Sequence, residues 1–175
     1  MRALQTSPPW PLELSFQCTV IPEQLQVDSS TFGTAVPRAH RWLDLASGSS
    51  SLALAGDAAA AAPTLAPLSQ SLLHIWSGLE ALFPSVTTEL AFRLALYLAQ
   101  LSAAERDRTE TYDKAREAYR IRSKVTHGSQ ASVSFSTWIE TWELLVLALK
   151  SVFSRGQLPK EEELLAELLG QERAV

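Results

Sequence analysis

Apolar residues that recur every three or four positions, between prolines and glycines, most constrain the fold of this chain. One such stripe consists of Leu68, Leu72, Ile75, Leu79 and Leu82, and a second of Trp138, Trp142, Leu145, Leu149 and Val152. These spacings place the side chains on one face of an α-helix. Pro84 follows the first stripe, and Gly156 and Pro159 follow the second, so we expect the two helices to end there.

Three further helices are predicted around these two. Residues 85–102 are apolar on most sides, with Ser85 as the expected N-cap. The next helix is expected to start near Ser102–Glu105, which has the form of a capping box, and to end before Gly128, a natural residue for a helix C-terminus. A short last helix carries Glu161–Glu163 in its first turn, where the helix dipole favours anions. Five helices with short joints predict a mainly α-helical bundle.

Residues 1–64 lack a helical period. The segment 12–21 is rich in β-branched and aromatic residues and predicts a strand, and 39–46 predicts a helical turn. The following stretch, SGSSSLALAGDAAAAAPTLAP, is rich in Ser, Gly and Ala and is interpreted as a connector. We therefore divide the chain into an N-terminal extension with connector, residues 1–64, and a helical domain, residues 65–175.

Charge and cysteine content restrict the function. The formal net charge is -4, which argues against a protein that coats nucleic acid over its whole surface but leaves a local basic site open. Cys18 is the only cysteine, so neither an intrachain disulfide nor a cysteine metal cluster can form. We find no signal peptide, no membrane span and no metal-hydrolase or phosphate-loop motif, and we expect a cytoplasmic protein without a metal or cofactor.

The stretch YRIRSKVTHG, residues 119–128, concentrates three basic side chains and one histidine. On a helix, Arg116, Arg120 and Lys124 form one row, and His127 lies about 140° round and about 7.5 Å along the axis from Arg122. A long arginine side chain can close that gap, so Arg122 and His127 can converge on a small anion. The alternative interpretation is a solvated basic face with a histidine that caps the helix.

Two other patterns have mainly structural interpretations. Trp138 and Trp142 are expected to pack in the core rather than to stack on nucleic-acid bases. Glu89 and Arg93, four residues apart, are expected to form an ion pair on a helix.

YRIRSKVTHG resembles the signature of HEPN domains, in which an Arg, four to six residues and a His lie at a helix end. The similarity is closest to the Apea-like HEPN group, whose members often have Y-x-x-R-S-K-x-x-H-G at this place. Upstream, residues 79–83 and 89–99 resemble the first two long helices of that family, with Glu89 and Arg93 matching its Glu-x-x-x-Arg pattern. The resemblance covers roughly residues 67–155 and implies an HEPN-like bundle of about four to five helices.

Many members of that family cleave RNA without a metal and form dimers that bring two motifs to a shared cleft. The resemblance therefore implies that His127 acts as general base or acid and that Arg122 braces the phosphate. It also implies that Ser123 hydrogen-bonds phosphate and that the RNA is contacted by Lys124, Arg120, Arg116 and Tyr119.

The implied partners are single-stranded RNA, a second copy of the chain, and an antitoxin or regulatory protein if the chain is a toxin or defence effector. HEPN toxins paired with nucleotidyltransferase antitoxins carry a Tyr two residues after the His, where this chain has Ser129. The alternative within the family is a non-catalytic domain that binds nucleotide or RNA, or serves as a dimerising scaffold.

Overall fold

A computed structural model describes residues 29–65, 67–129 and 132–170. These ranges contain seven α-helices and one 3₁₀ turn, Ala62–Thr64, and no strand. The helices are α1 Ser29–Ser47, α2 Ser50–Ala61, α3 Leu68–Ala81, α4 Leu90–Leu101, α5 Arg108–Thr126, α6 Phe135–Arg155 and α7 Glu161–Leu168. The predicted mainly α-helical bundle is confirmed, and α3 to α7 are its five predicted helices. The strand predicted at residues 12–21 lies outside the described ranges.

The segment that we interpreted as a connector is instead helix α2, and its predicted role as a connector is wrong. The Ser49 side chain caps this helix by accepting a hydrogen bond from the backbone N–H of Leu52 at 3.2 Å. Leu52, Ala55 and Ala58 are buried in the same core as the later helices. The helical turn predicted at 39–46 is likewise part of the longer helix α1.

Helices α2, α3 and α6 meet at Gly78. A Cβ atom at this position would lie 2.7 Å from the Cβ of Ala58 and 3.2 Å from a methyl group of Leu145. Glycine and alanine therefore allow the backbones of α2 and α3 to approach more closely than larger side chains would permit. This close packing explains why α2 is buried although its sequence shows no broad apolar stripe.

The two tryptophans of α6 fasten this helix to the layer formed by α2 and α3. The indole N–H of Trp138 donates to the hydroxyl of Ser71 at 2.7 Å, and that of Trp142 donates to the carbonyl oxygen of Ala59 at 2.9 Å. Trp138 is almost fully buried, and the two rings stack with centroids 6.1 Å apart. Their predicted role in core packing is confirmed.

Two helix starts differ from the prediction because tertiary contacts use the expected capping residues. Helix α4 begins at Leu90, and Ser85 instead donates through its backbone N–H and hydroxyl to the carboxylate of Glu161, both at 3.0 Å. Helix α5 begins at Arg108 with Asp107 as N-cap, whereas Ser102 is buried at the C-terminus of α4. The six residues between α4 and α5 place α5 against α4, with its basic end beside α3.

Candidate nucleic-acid interface

Helix α5 ends at the glycine that the sequence predicts. Gly128 has φ +69°, and its N–H donates to the carbonyl of Val125 at 3.1 Å, while the N–H of Ser129 donates to that of Lys124 at 2.9 Å. This pair of bonds is a Schellman motif, which only glycine enters without steric cost. His127 is the C-cap residue, and its side chain is exposed. Its imidazole has no hydrogen-bond or ion-pair partner among the described residues.

One side of α5 lines a groove of about 560 Å³ against Ala91 of α4. Its lining contains the predicted RNA-binding residues Arg116, Tyr119, Arg120, Ser123 and Lys124, together with Asp113 and Glu117. The row predicted from helical spacing therefore shares one surface. Three cations and two carboxylates give this groove a small excess of positive charge on a chain that is acidic overall.

The three cations of the groove differ in their partners. Arg120 is paired with Glu117, with its Nε donating to the carboxylate at 2.8 Å. This hydrogen bond, with the attraction of the two charges, lowers the pKa of Glu117 and raises that of Arg120. Arg116 lies over the ring of Tyr112 at 5.7 Å, and neither Arg116 nor Lys124 forms an ion pair with a carboxylate of the described part. Those two cations are available to phosphate.

Arg122 faces away from the groove, towards α3. Its Nη2 lies 2.9 Å from Oε1 of Glu80, and its guanidinium carbon lies 5.4 Å from the centre of the Tyr119 ring. The Arg122 side chain is 25% exposed and that of Glu80 is 31% exposed. The separation is that of an ion pair, but Oε1 has no hydrogen bond, because the N–H bonds of Nη2 are not directed at it.

No hydrogen bond joins Arg122 to His127 within the described residues. On an ideal helix the two side chains would be about 140° apart around the axis, and Arg122 is paired with Glu80 instead. On the same ideal geometry, His127 lies on the face of α5 that carries Arg116, Arg120 and Ser123. Arg122 lies on the inner face, with the buried residues Ala115 and Ala118. The expected convergence within one chain is therefore not seen.

The predicted pair of Glu89 and Arg93 does not form an ion pair in the structure. Glu89 is the N-cap of α4 with φ +50°, so the regular geometry that joins residues four apart on a helix does not begin there. Arg93 instead donates to the hydroxyl of Tyr97 at 3.4 Å and lies over that ring at 5.9 Å. The hydrogen bond to Tyr97 is the largest cause of a raised pKa of Arg93, and Glu89 adds only a smaller charge interaction.

Of three carboxylates in this region, sequence reasoning missed only Glu80. Asp113 and Glu117 are evident in the sequence, and helical spacing puts them on the same face of α5 as Arg116 and Arg120. Glu80 carries no local signal, because it belongs to another helix and reaches Arg122 only through the packing of α3 against α5. Within the described ranges, no three His, Cys, Asp or Glu side chains are grouped so that they could hold a metal ion.

Comparisons with known proteins give no relative for this chain: no family model, no curated protein and no solved structure matches it. The resemblance to HEPN domains therefore depends on the residues of the sequence motif alone. None of the helices in the described part has a stretch long and apolar enough to cross a membrane.

Proposed function

We propose that this chain is a metal-independent endoribonuclease of the HEPN type, acting in the cytoplasm as a homodimer. The observation that supports the proposal most directly is the basic groove of α5, which gathers Arg116, Arg120, Ser123 and Lys124 on one surface. His127 follows the same row at the end of the helix, exposed to solvent. A strand of RNA along the groove would bring its phosphates towards the imidazole.

In this proposal the 2′-hydroxyl of the RNA attacks the adjacent phosphate, and the 5′-oxygen of the next nucleotide leaves. The imidazole of His127 removes the proton from the attacking hydroxyl or supplies one to the leaving oxygen. Arg122 stabilises the additional negative charge that develops on the phosphate. Both groups belong to the chain, so no bound cofactor is required by these steps.

A second copy of the chain would complete the site. Arg122 is paired with Glu80 on the side of α3, and on ideal helical geometry His127 lies about 140° round α5 from it, so one motif is not expected to present both groups to one phosphate. Two motifs facing each other across a two-fold axis would combine His127 of one copy with Arg122 of the other. Such an arrangement uses the same surface patch on both copies, as two-fold interfaces do.

The decisive experiment mixes two inactive variants. His127→Ala and Arg122→Ala are purified separately, and cleavage of single-stranded RNA is measured in EDTA for each variant and for the mixture. If the site combines residues of two copies, the mixture recovers cleavage that neither variant shows alone. A monomeric wild-type protein, or cleavage that EDTA abolishes and magnesium restores, would contradict the proposal.

One observation favours a second candidate, a non-catalytic domain that binds RNA or nucleotide. Arg122 is engaged by Glu80 and not by His127, as expected of a structural arginine. On this alternative the chain binds single-stranded RNA in the groove and leaves it intact. Retained binding without cleavage, in the wild-type protein and at all pH values between 5 and 8, where histidine side chains change charge, would support it.

A further inference from the structure

Unpaired polar atoms concentrate where α3 meets α5, around Arg122. Within the described ranges, four buried side-chain nitrogen or oxygen atoms have no hydrogen-bond partner, and three of these are Trp76 Nε1, Glu80 Oε1 and Arg122 Nε. The Trp76 ring packs edge-on against Tyr119 at 5.2 Å, and Tyr119 lies under Arg122. Because buried donors without acceptors cost free energy, an acceptor oxygen delivered to Arg122 Nε would be favourable.

The ion pair with Glu80 uses the guanidinium of Arg122 incompletely. Only one oxygen, Oε1, is paired with one nitrogen, Nη2, and the N–H bonds are not aligned with it. Arginine binds carboxylates and phosphates most strongly through two parallel N–H···O bonds. Glu80, tethered to α3, does not make the second bond, whereas a free phosphodiester carries two unbridged oxygens and can choose its orientation.

The same geometry argues against Glu80 as a residue that positions Arg122 for the reaction. Precise positioning of a functional side chain needs hydrogen bonds with good alignment, because misplacement lowers their effect. The contact between Glu80 and Arg122 has the attraction of opposite charges but not that alignment. With 31% of its side chain exposed, Glu80 can return to solvent at little cost when it leaves Arg122.

We propose that Glu80 is an internal competitor of phosphate: its carboxylate occupies Arg122 in the free chain, and a phosphodiester displaces it by bonding Nη2 and Nε together. This inference rests on the proposed function in naming RNA phosphate as the ligand. Glu80 thereby determines specificity, since an anion that cannot replace the lost ion pair leaves Arg122 engaged. Without Glu80, Arg122 binds phosphate more readily.

The test measures binding of a fluorescent 2′-O-methyl RNA oligonucleotide, which lacks the attacking hydroxyl and is not cleaved. Glu80→Gln is expected to bind it about two- to fivefold more tightly than the wild-type chain, the effect of removing one partly exposed ion pair. Glu110→Gln is the matched control, because it removes the same charge from an exposed pair with Lys114 that does not line the groove. The gain should disappear when Arg122→Ala is also present.

Three results would overturn the inference: unchanged or weaker binding by Glu80→Gln, an equal gain in Glu110→Gln, or a gain that persists without Arg122. Cleavage of ordinary RNA by the same proteins separates the two proposals. Tighter binding by Glu80→Gln without any cleavage would contradict the proposed ribonuclease function and support competition by Glu80. Cleavage without tighter binding would support the ribonuclease function and contradict the competition.

A measurement on the wild-type chain decides the question if Glu80→Gln does not fold. The Nε–H resonance of Arg122, assigned by its loss in Arg122→Lys, is followed by NMR while dimethyl phosphate is added. A saturating shift of this resonance is expected, because Nε gains its missing acceptor, and sodium chloride at equal ionic strength should not reproduce it. A resonance that does not respond, or responds equally to chloride, would overturn the inference.

Discussion

Two arginine–glutamate ion pairs in this molecule differ in their hydrogen bonding: one is fully hydrogen-bonded and the other is not. Arg155 of α6 and Glu167 of α7 are joined by two hydrogen bonds at 2.9 and 3.1 Å, and both side chains are only about 15% exposed. Gln100 donates to the same carboxylate at 2.7 Å, and Arg155 also donates to the backbone carbonyl of Gln100. The pair of Arg122 and Glu80 has one contact and no aligned hydrogen bond.

This difference distinguishes Arg155, whose hydrogen bonds stabilise the fold, from Arg122, which can still bind an external anion. A buried ion pair needs additional hydrogen bonds to compensate for the loss of water, and Arg155 has them. Arg122 is more exposed, and its Nε donor is unpaired. Its guanidinium can therefore form new hydrogen bonds when an anion binds, whereas the guanidinium of Arg155 already has its partners. On this comparison, loss of Arg155 should affect folding and loss of Arg122 should affect function.

The largest expected effect is on cleavage by His127→Ala and Arg122→Ala. Loss of a general acid or base lowers a rate by about 10² to 10⁴, and loss of a group that stabilises transition-state charge has an effect of about 10² to 10³. The His127 side chain is exposed, so the melting temperature of His127→Ala should change little, whereas Arg122→Ala removes a partly buried side chain between α3 and α5 and should lower it more. Initial rates on single-stranded RNA and thermal unfolding of the same samples measure both.

Lys114→Ala is a suitable control for these variants, since Lys114 is exposed, paired with Glu110 on α5, and absent from the lining of the groove. Its rate should equal that of the wild-type chain within a small factor. If His127→Ala and Arg122→Ala cleave RNA as fast as this control, the proposed roles of Arg122 and His127 in cleavage are wrong.

The next effect is on stability and concerns the complete pair. Arg155→Ala removes the guanidinium that pairs with the largely buried Glu167 carboxylate, and breaking such a pair destabilises a protein by about 3 kcal/mol. We expect this loss in urea unfolding, while cleavage by the folded fraction stays unchanged. Lys150→Ala, which removes an ion pair whose lysine is 64% exposed, should cost far less. Equal losses for the two variants would remove the distinction between buried and exposed pairs.

Helices α3 and α6 were predictable because their apolar stripes and the glycines and prolines after them are local signals. Helix α2 was not, because alanine contributes little apolar contrast between its faces, and its burial depends on Gly78 in another helix. The N-caps of α4 and α5 were misassigned for a related reason. Ser85 is used by Glu161 of a distant helix, and a local pattern does not contain that partner.

The candidate site also has a part that local sequence signals predict and a part that depends on contacts with another helix. The row of Arg116, Arg120 and Lys124 follows from helical spacing alone, and the structure places these residues along one groove. The direction of the Arg122 side chain could not be predicted from helical spacing. The side chain is long enough to approach His127, but in the structure it is paired with Glu80 on α3. The HEPN-type function itself stays a prediction from the motif.

A smaller effect concerns the salt dependence of RNA binding. Each phosphate contact with single-stranded nucleic acid contributes about 0.7 to the slope of log affinity against log salt concentration. Lys124→Ala and Arg116→Ala should therefore each lower the slope by about 0.7, because both cations line the groove without a paired carboxylate. Binding of the 2′-O-methyl oligonucleotide between 50 and 200 mM salt, about the range over which such slopes are measured, tests this. A slope that changes as much in Lys114→Ala would mean that overall charge, and not the groove, is responsible.

The smallest effect concerns Arg120 and Glu117, a third pair, which is exposed on both sides. The hydrogen bond from Arg120 lowers the pKa of Glu117, so the ionised carboxylate is favoured in the folded chain. Its contribution to stability is therefore present above the pKa of the unfolded chain and is lost as pH falls through the lower pKa of the folded one. Because the pair is exposed, added salt should move the pKa of Glu117 back towards its usual value.

RNA binding should move that pKa in the same direction, because a phosphate that engages Arg120 withdraws it from Glu117. Titration of the Glu117 carboxyl carbon by NMR, with and without the 2′-O-methyl oligonucleotide, measures the change. In Arg120→Gln the pKa should already be higher in the free chain and should not rise further through loss of this pair. If RNA leaves the pKa of Glu117 unchanged in the wild-type chain, Arg120 keeps its internal partner and belongs with Arg155 among the structural arginines.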